Sequence, residues 1–280
     1  MAVSEPATRP SAGVTMAAGF SAGVATAGVR DGSLSRPDVA LLVSDRVAAA
    51  AGVFTRNRVK AAPVVVSQLH LRRGTARAVV VNSGNANAAT GSRGLGDALR
   101  MAQAAGDSVD CAPHEVLVAS TGVIGRPMPM DRIVPAISRA AADLGPGRGA
   151  EAARAIMTTD TRSKEAGAEF RAFGVPHHLG GMAKGSGMIH PDMATLLAFL
   201  TTDAQVPAPA LQDLLVRVVG RTFNRISVDG DTSTNDSCLL LANGAAGCPP
   251  LTPGTAGWRE FEEALDAVLG SLAEQVVADG

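Results

Sequence analysis

Tyrosine is absent from this chain, tryptophan occurs once, and aromatic residues make up 3% of the total. Single-stranded nucleic acid is usually held by stacking its bases on aromatic rings, so a sequence this poor in rings argues against such a platform. An excess of one charge is also missing. The 25 lysines and arginines against 26 aspartates and glutamates leave a net −1, too little to gather nucleic acid or an anionic membrane surface. The three scattered cysteines, Cys111, Cys238 and Cys248, are too few for a disulfide framework and lack CxxC spacing, which fits a reducing, cytoplasmic setting. No apolar run reaches the ~18 residues of a membrane span. The first ten residues carry Glu5 and Arg9 and lack the apolar core of a signal peptide. These absences leave a small-molecule partner as the expectation. With 280 residues, 46% of them hydrophobic, the chain is long enough to bury a sizeable core.

Short apolar runs at 39–43, 64–66, 79–81, 116–118, 196–200 and 239–241 are mostly bounded by glycine, proline, asparagine or serine, and predict strands. Helices are predicted between them. Leu211, Leu214, Leu215, Val218, Val219 and Phe223 recur at spacings of three and four after Pro207 and Pro209, and Trp258, Phe261, Leu265, Val268, Leu269, Leu272 and Val276 repeat the pattern. Residues 95–104, 131–142 (with Pro135 in the first turn) and 152–156 also read as helical, while 145–149 and 248–257 read as loops. The sum is a mixed chain of many strands with no internal repeat.

The densest group of small and reactive residues is GGMAKGSGMIHPDMATLL (180–197), in which a glycine-rich bend carrying Lys184 leads to Thr195 at the head of an apolar strand. A threonine hydroxyl needs a base. If the bond before it is cut, its own α-amine, with a reference pKa of roughly 7.7–8.0, supplies one. A threonine that merely opens a strand is the ordinary alternative, because β-branched residues fit there. Ser120, Thr121 and Gly122 follow the run 116–118 at a strand end, where a hydroxyl and a backbone N–H can be aimed at one point, as stabilising a developing oxyanion requires. Thr158, Thr159 and Asp160 follow a helical stretch and read equally as loop chemistry. Lys184 is followed by Gly185 and not by a hydroxyl residue, so the GxxxxGK[ST] phosphate loop is not met. His177, His178 and His190 show no metal-ligand spacing and read as surface loop residues. Asp229, Asp231 and Asp236 do not fit a calcium loop and read as turns supporting a site.

These segments, in this order, resemble the ornithine acetyltransferase family, the glutamate N-acetyltransferases called ArgJ. The likeness is carried also by VFTRNRVKAAPV (53–64), NSGNANAATG (82–91), IMTTDTRSK (156–164) and RTFNRISVDGDTSTNDS (221–237), and it spans nearly the whole chain. The resemblance implies self-cleavage between Ala194 and Thr195, giving an α chain (1–194) and a β chain (195–280) that stay associated. It implies Thr195 as nucleophile, Thr121 and Gly122 as oxyanion donors, and Thr158 and Lys184, with Thr195, as substrate contacts. The implied fold is α+β, a layered sandwich of helices flanking two packed sheets. The implied reaction moves acetyl from N-acetylornithine to glutamate in arginine biosynthesis, with acetyl-CoA open as a second donor and neither cofactor nor metal. Two αβ units are expected to pair as a heterotetramer. Family members usually continue well past Gly280, and a substrate-contacting glutamate follows the equivalent of Asp279-Gly280, so the chain reads as C-terminally shortened. An aminopeptidase or amidase of the related self-cleaving fold, and an inactive remnant, are the competing readings.

Overall fold

The computed structural model describes residues 13–190 and 196–280. In chain order the elements are β1 (Phe20–Ala25), β2 (Val39–Phe54), α1 (Ala62–His70), β3 (Thr75–Asn85), α2 (Gly91–Val109), β4 (Val116–Val123), α3 (Met130–Ala142), α4 (Gly149–Ala155), β5 (Lys164–Ala172), β6 (Val175–Lys184), β7 (Leu197–Thr202), α5 (Ala208–Arg221), β8 (Ser237–Ala242) and α6 (Trp258–Val277). The strands form one hydrogen-bonded sheet in the order β4-β3-β2-β8-β7-β6-β5, with β1 added against β2. Among the described strands, only β3/β4 and β7/β8 pair in parallel.

The 16-residue β2 joins two half-sheets. Its first part, Val39 to Ser44, lies between β1 and β3, and its last part, Ala49 to Phe54, pairs with β8. A register shift between Val43 and Ala48 separates the two. Such irregularities bend a strand and sharpen its twist. Here the two halves of the sheet come to face each other across a shared core.

Period-two alternation then sorts the side chains. Leu42, Val79 and Val81 from one half meet Met182, Leu197, Phe199, Leu239 and Leu241 from the other in a buried middle layer. The intervening residues Leu41, Ala78 and Val80 point outward onto Met101 of α2 and Ile133 and Ile137 of α3. On the opposite side, Ala183, Leu200 and Leu240 point outward onto Leu214 and Val218 of α5 and Leu265 and Leu269 of α6. The result is a helix, sheet, sheet, helix sandwich, the α+β layering expected. None of the described helices is long and apolar enough to cross a membrane.

Three local expectations are corrected. The valines at 64–66 lie in α1, not in a strand: Pro63 sets the first helical turn, and Ser67 Oγ and His70 Nδ1 dock the helix on the Val118 and Val116 carbonyls, both at 2.7 Å. Tertiary anchoring outweighs the β propensity of three valines. Pro135 sits inside α3, which already begins at Met130. His177 and His178 are strand residues of β6, not surface loop residues. His177 is fully buried with its ring stacked on Phe170 at 5.2 Å, and His178 Nδ1 lies 2.9 Å from Asp203.

Candidate active site

The parallel pair β3 and β4 ends with Ser83 opposite Thr121 and Gly84 opposite Gly122. Two glycines are required here by space. Gly122 has φ +131°, and a Cβ on it would lie 2.3 Å from the Gly84 carbonyl carbon; Gly84 has φ +101° and Arg30 packed over it. This contact turns the Thr121 side chain inward, 5% exposed, while Gly122 stays open to solvent. Thr121 is therefore more enclosed than a strand-end turn suggests. Asn235 closes the same corner, its Nδ2 donating to the Ala86 carbonyl at 2.6 Å and the Ser120 carbonyl at 2.8 Å.

Lys184, the last residue of β6, reaches this corner from the other half-sheet. Its Nζ donates to Thr158 Oγ1 at 2.8 Å and to Thr121 Oγ1 at 3.3 Å, and the residue is 3% exposed. Burial pushes the Lys184 pKa down, and the Asp160 charge 3.9 Å away only partly restores it. Asp160 in turn accepts from Gly185 N at 2.6 Å, Lys164 Nζ at 2.8 Å and Thr158 N at 3.0 Å. Burial would raise the Asp160 carboxyl, but the Lys184 charge and the Lys164 hydrogen bond hold it below the usual carboxylate value. Lys164 also pairs with Asp279 at 2.6 Å, tying the end of α6 to the site.

Thr121, Gly122, Thr158 and Lys184 thus line one cavity of about 320 Å³, the size of a small-ligand site. Ala194 and Thr195 lie outside the described residues. The next residue, Leu196, donates its backbone N–H to Asp236 Oδ1 at 3.0 Å. Burial pushes the Asp236 carboxyl well above the ordinary value, against nearby donors and the Lys184 charge. Asp229, at the far end of the same segment, accepts from Met188 N at 2.5 Å and Ile189 N at 2.9 Å, which is the supporting role its sequence suggests.

Sequence reasoning gave Asp160, Asp236 and Asn235 no individual role, and it passed over Arg30 and Arg36 at the cavity wall. Asp160 and Lys164 stand only four residues apart, but 160–164 is not helical, so that spacing gave no signal. The others act through long-range contacts that leave no local pattern.

The layering defines a fold class. A chain of an L-aminopeptidase D-Ala-esterase/amidase from Ochrobactrum anthropi, described as a variant of the Ntn hydrolase fold, superposes with a TM-score of 0.56 at 12% identity, covering 96% of this chain and 88% of its own. That likeness shows the fold alone. The model of the ArgJ family matches residues 21–280, and the chain belongs to that family. A protein of Symbiobacterium thermophilum named arginine biosynthesis bifunctional protein ArgJ is 53% identical over 268 residues, covering 96% of this chain and 67% of its own length. An ornithine acetyltransferase from Mycobacterium tuberculosis, solved in complex with ornithine, gives a TM-score of 0.59 at 38% identity; all of that chain is covered, and 68% of this one. The chain spans about two thirds of the length of the curated relatives it matches.

Proposed function

We propose that this chain is an acetyltransferase that cuts itself between Ala194 and Thr195 and then carries acetyl from N-acetylornithine to glutamate on the Thr195 hydroxyl. The observation that carries the reading is the convergence, from both half-sheets, of the Lys184 ammonium on the hydroxyls of Thr121 and Thr158. Because Lys184 donates to Thr121 Oγ1, that hydroxyl's own hydrogen is directed elsewhere and can be given to an oxyanion. Gly122 lines the cavity beside it, and in this reading its backbone N–H is the second donor. Thr195, freed at its amine, gives up its hydroxyl proton to that amine and attacks the acetyl carbonyl. The tetrahedral oxyanion collapses, ornithine leaves with a proton, and the acetyl-threonine ester awaits the glutamate amine. No cofactor enters this sequence.

The α-carboxylate common to both substrates goes to Lys184, a compact cation on a flexible stem. Two further aspects belong to the same reading: acetyl-CoA as a second donor, which suits the relatives' bifunctional name, and pairing of two αβ units. Division into 1–194 and 195–280 belongs to the same reading.

Intact mass is the test of cleavage. The wild type is expected as two pieces meeting at the 194/195 bond and Thr195→Ala as one chain; cutting of the mutant at that bond would refute self-cleavage by Thr195. Isotopic acetyl from N-acetylornithine appearing in N-acetylglutamate, and not only as free acetate, separates transfer from hydrolysis.

A further inference from the structure

The cavity is lined by three charged residues, Arg30, Arg36 and Lys184, and all three are cations; no aspartate or glutamate is among the described lining residues. One buried ammonium suffices for one carboxylate. Two additional guanidiniums at the mouth are more positive charge than the reading above uses.

These arginines are carried on a built loop. Asp38, 7% exposed, accepts from Ala27 N and Val29 N, both at 2.6 Å. Arg132 Nη1 donates to the Gly28 carbonyl at 2.7 Å, and Gly32 N closes back on the same carbonyl at 2.9 Å. The loop so fixed lays Arg30 over Gly84, beside the Thr121 corner, and lets Arg36 Nη2 reach the Met157 carbonyl at 3.3 Å, one residue before Thr158. Both side chains are exposed, and their remaining N–H groups are available to a ligand.

We infer that Arg30 and Arg36 form a second anion subsite at the cavity mouth, which takes the side-chain carboxylate of a dicarboxylic amino acid whose α-carboxylate is held by Lys184. The inference rests on the Lys184 reading above and deepens it. A guanidinium presents paired donors that match a carboxylate edge to edge, which a neutral amide cannot reward equally. The cavity volume suits an amino acid.

The experiment is calorimetric titration of the full chain with L-glutamate, L-glutamine and coenzyme A. The proteins are wild type, Arg30→Gln, Arg36→Gln, the corresponding lysine variants and Lys184→Met. Wild type should prefer glutamate to the isosteric glutamine by roughly tenfold or more, the scale of a charge-assisted hydrogen bond. Each Arg→Gln change should weaken glutamate by several-fold to about tenfold, since the pair is partly exposed, and glutamine by less than about twofold. The lysine variants should recover part of the loss. Equal weakening of both ligands, no weakening of either, or a loss confined to coenzyme A would overturn the inference. Lys184→Met separates the two levels: if it weakens glutamate and glutamine alike while the arginine variants do not discriminate, the subsite fails and the Lys184 reading stands. If it weakens neither, or wild type binds no glutamate, that reading fails and the subsite falls with it.

Discussion

Lys184 spends two of its three ammonium hydrogens on Thr121 and Thr158, and the third is the one a substrate carboxylate can take. Lys184→Met keeps the buried stem and deletes the charge, so KM for donor and acceptor should rise together by roughly 10–150-fold; separate KM measurements check this. A rise in one alone would break the shared-carboxylate picture. Burial lowers the pKa of this lysine, so it sheds its proton before the ordinary 10.5. Carboxylate affinity should therefore begin to fall below that pH and should not fall in Lys184→Met, which pH-dependent binding will show. Thr121→Val keeps the shape and removes the hydroxyl; turnover should drop by roughly 10²–10³, the scale of one oxyanion donor. A drop of less than about tenfold would reduce Thr121 to a turn residue. Gly122→Ala is of a different kind, because its Cβ would strike the Gly84 backbone at φ +131°. It should cost about 1–3 kcal/mol of stability or more, read from the denaturant midpoint.

Among the elements, α6 does more than cover the sheet. Asp279, just past its end, accepts from Lys164 Nζ at 2.6 Å and from Thr161 N at 3.1 Å, and Arg162 Nη2 donates to the Ala278 carbonyl at 2.6 Å. Partial burial would raise the Asp279 carboxyl, but Lys164 and Thr161 hold it down at about 2 against 3.8 for the unfolded group. Its folded value is the lower one, so it contributes stability that is fully present above about 3.8 and lost as the pH falls through about 2. Asp279→Asn should flatten the stability profile across that window, as chemical denaturation at stepped pH would reveal. Elements of this kind differed in how readable they were from the sequence. α5 and α6 were plain from leucine and valine at three-and-four spacing, and the cores of β3, β4, β7 and β8 from their short apolar runs. The valines of α1 misled because a run of three carries no period, and what decides it is the docking of Ser67 and His70 on β4, 51 and 46 residues away. The motif segments marked the candidate site. The bridge from Asp279 through Lys164 to Asp160 was invisible, since one of its links spans 115 residues.

At the scale of the whole molecule, residues after 195 supply β7 and β8, which sit in the interior of the sheet between β2 and β6, both from before 194. Hydrogen-bonded ladders from Leu179 to Lys184 and from Ala49 to Phe54 clamp them on either side, and the middle core draws residues from both pieces. After the proposed cleavage the two pieces should therefore elute together on gel filtration under native conditions and part only in denaturant; separate elution without denaturant would contradict this topology. The same placement sets an order in time. A strand pair cannot be laid into the middle of a sheet by a partner that has drifted away as easily as by one still on the same chain, where closing the loop costs only a slowly growing entropy. If the bond is cut as proposed, the fold must be reached first and the cut made afterwards, so the processed molecule would carry a history it repeats poorly. Melted and cooled at low concentration, the uncut Thr195→Ala chain should recover its native signal, while the processed pair should recover little of it, and what it recovers should grow with protein concentration.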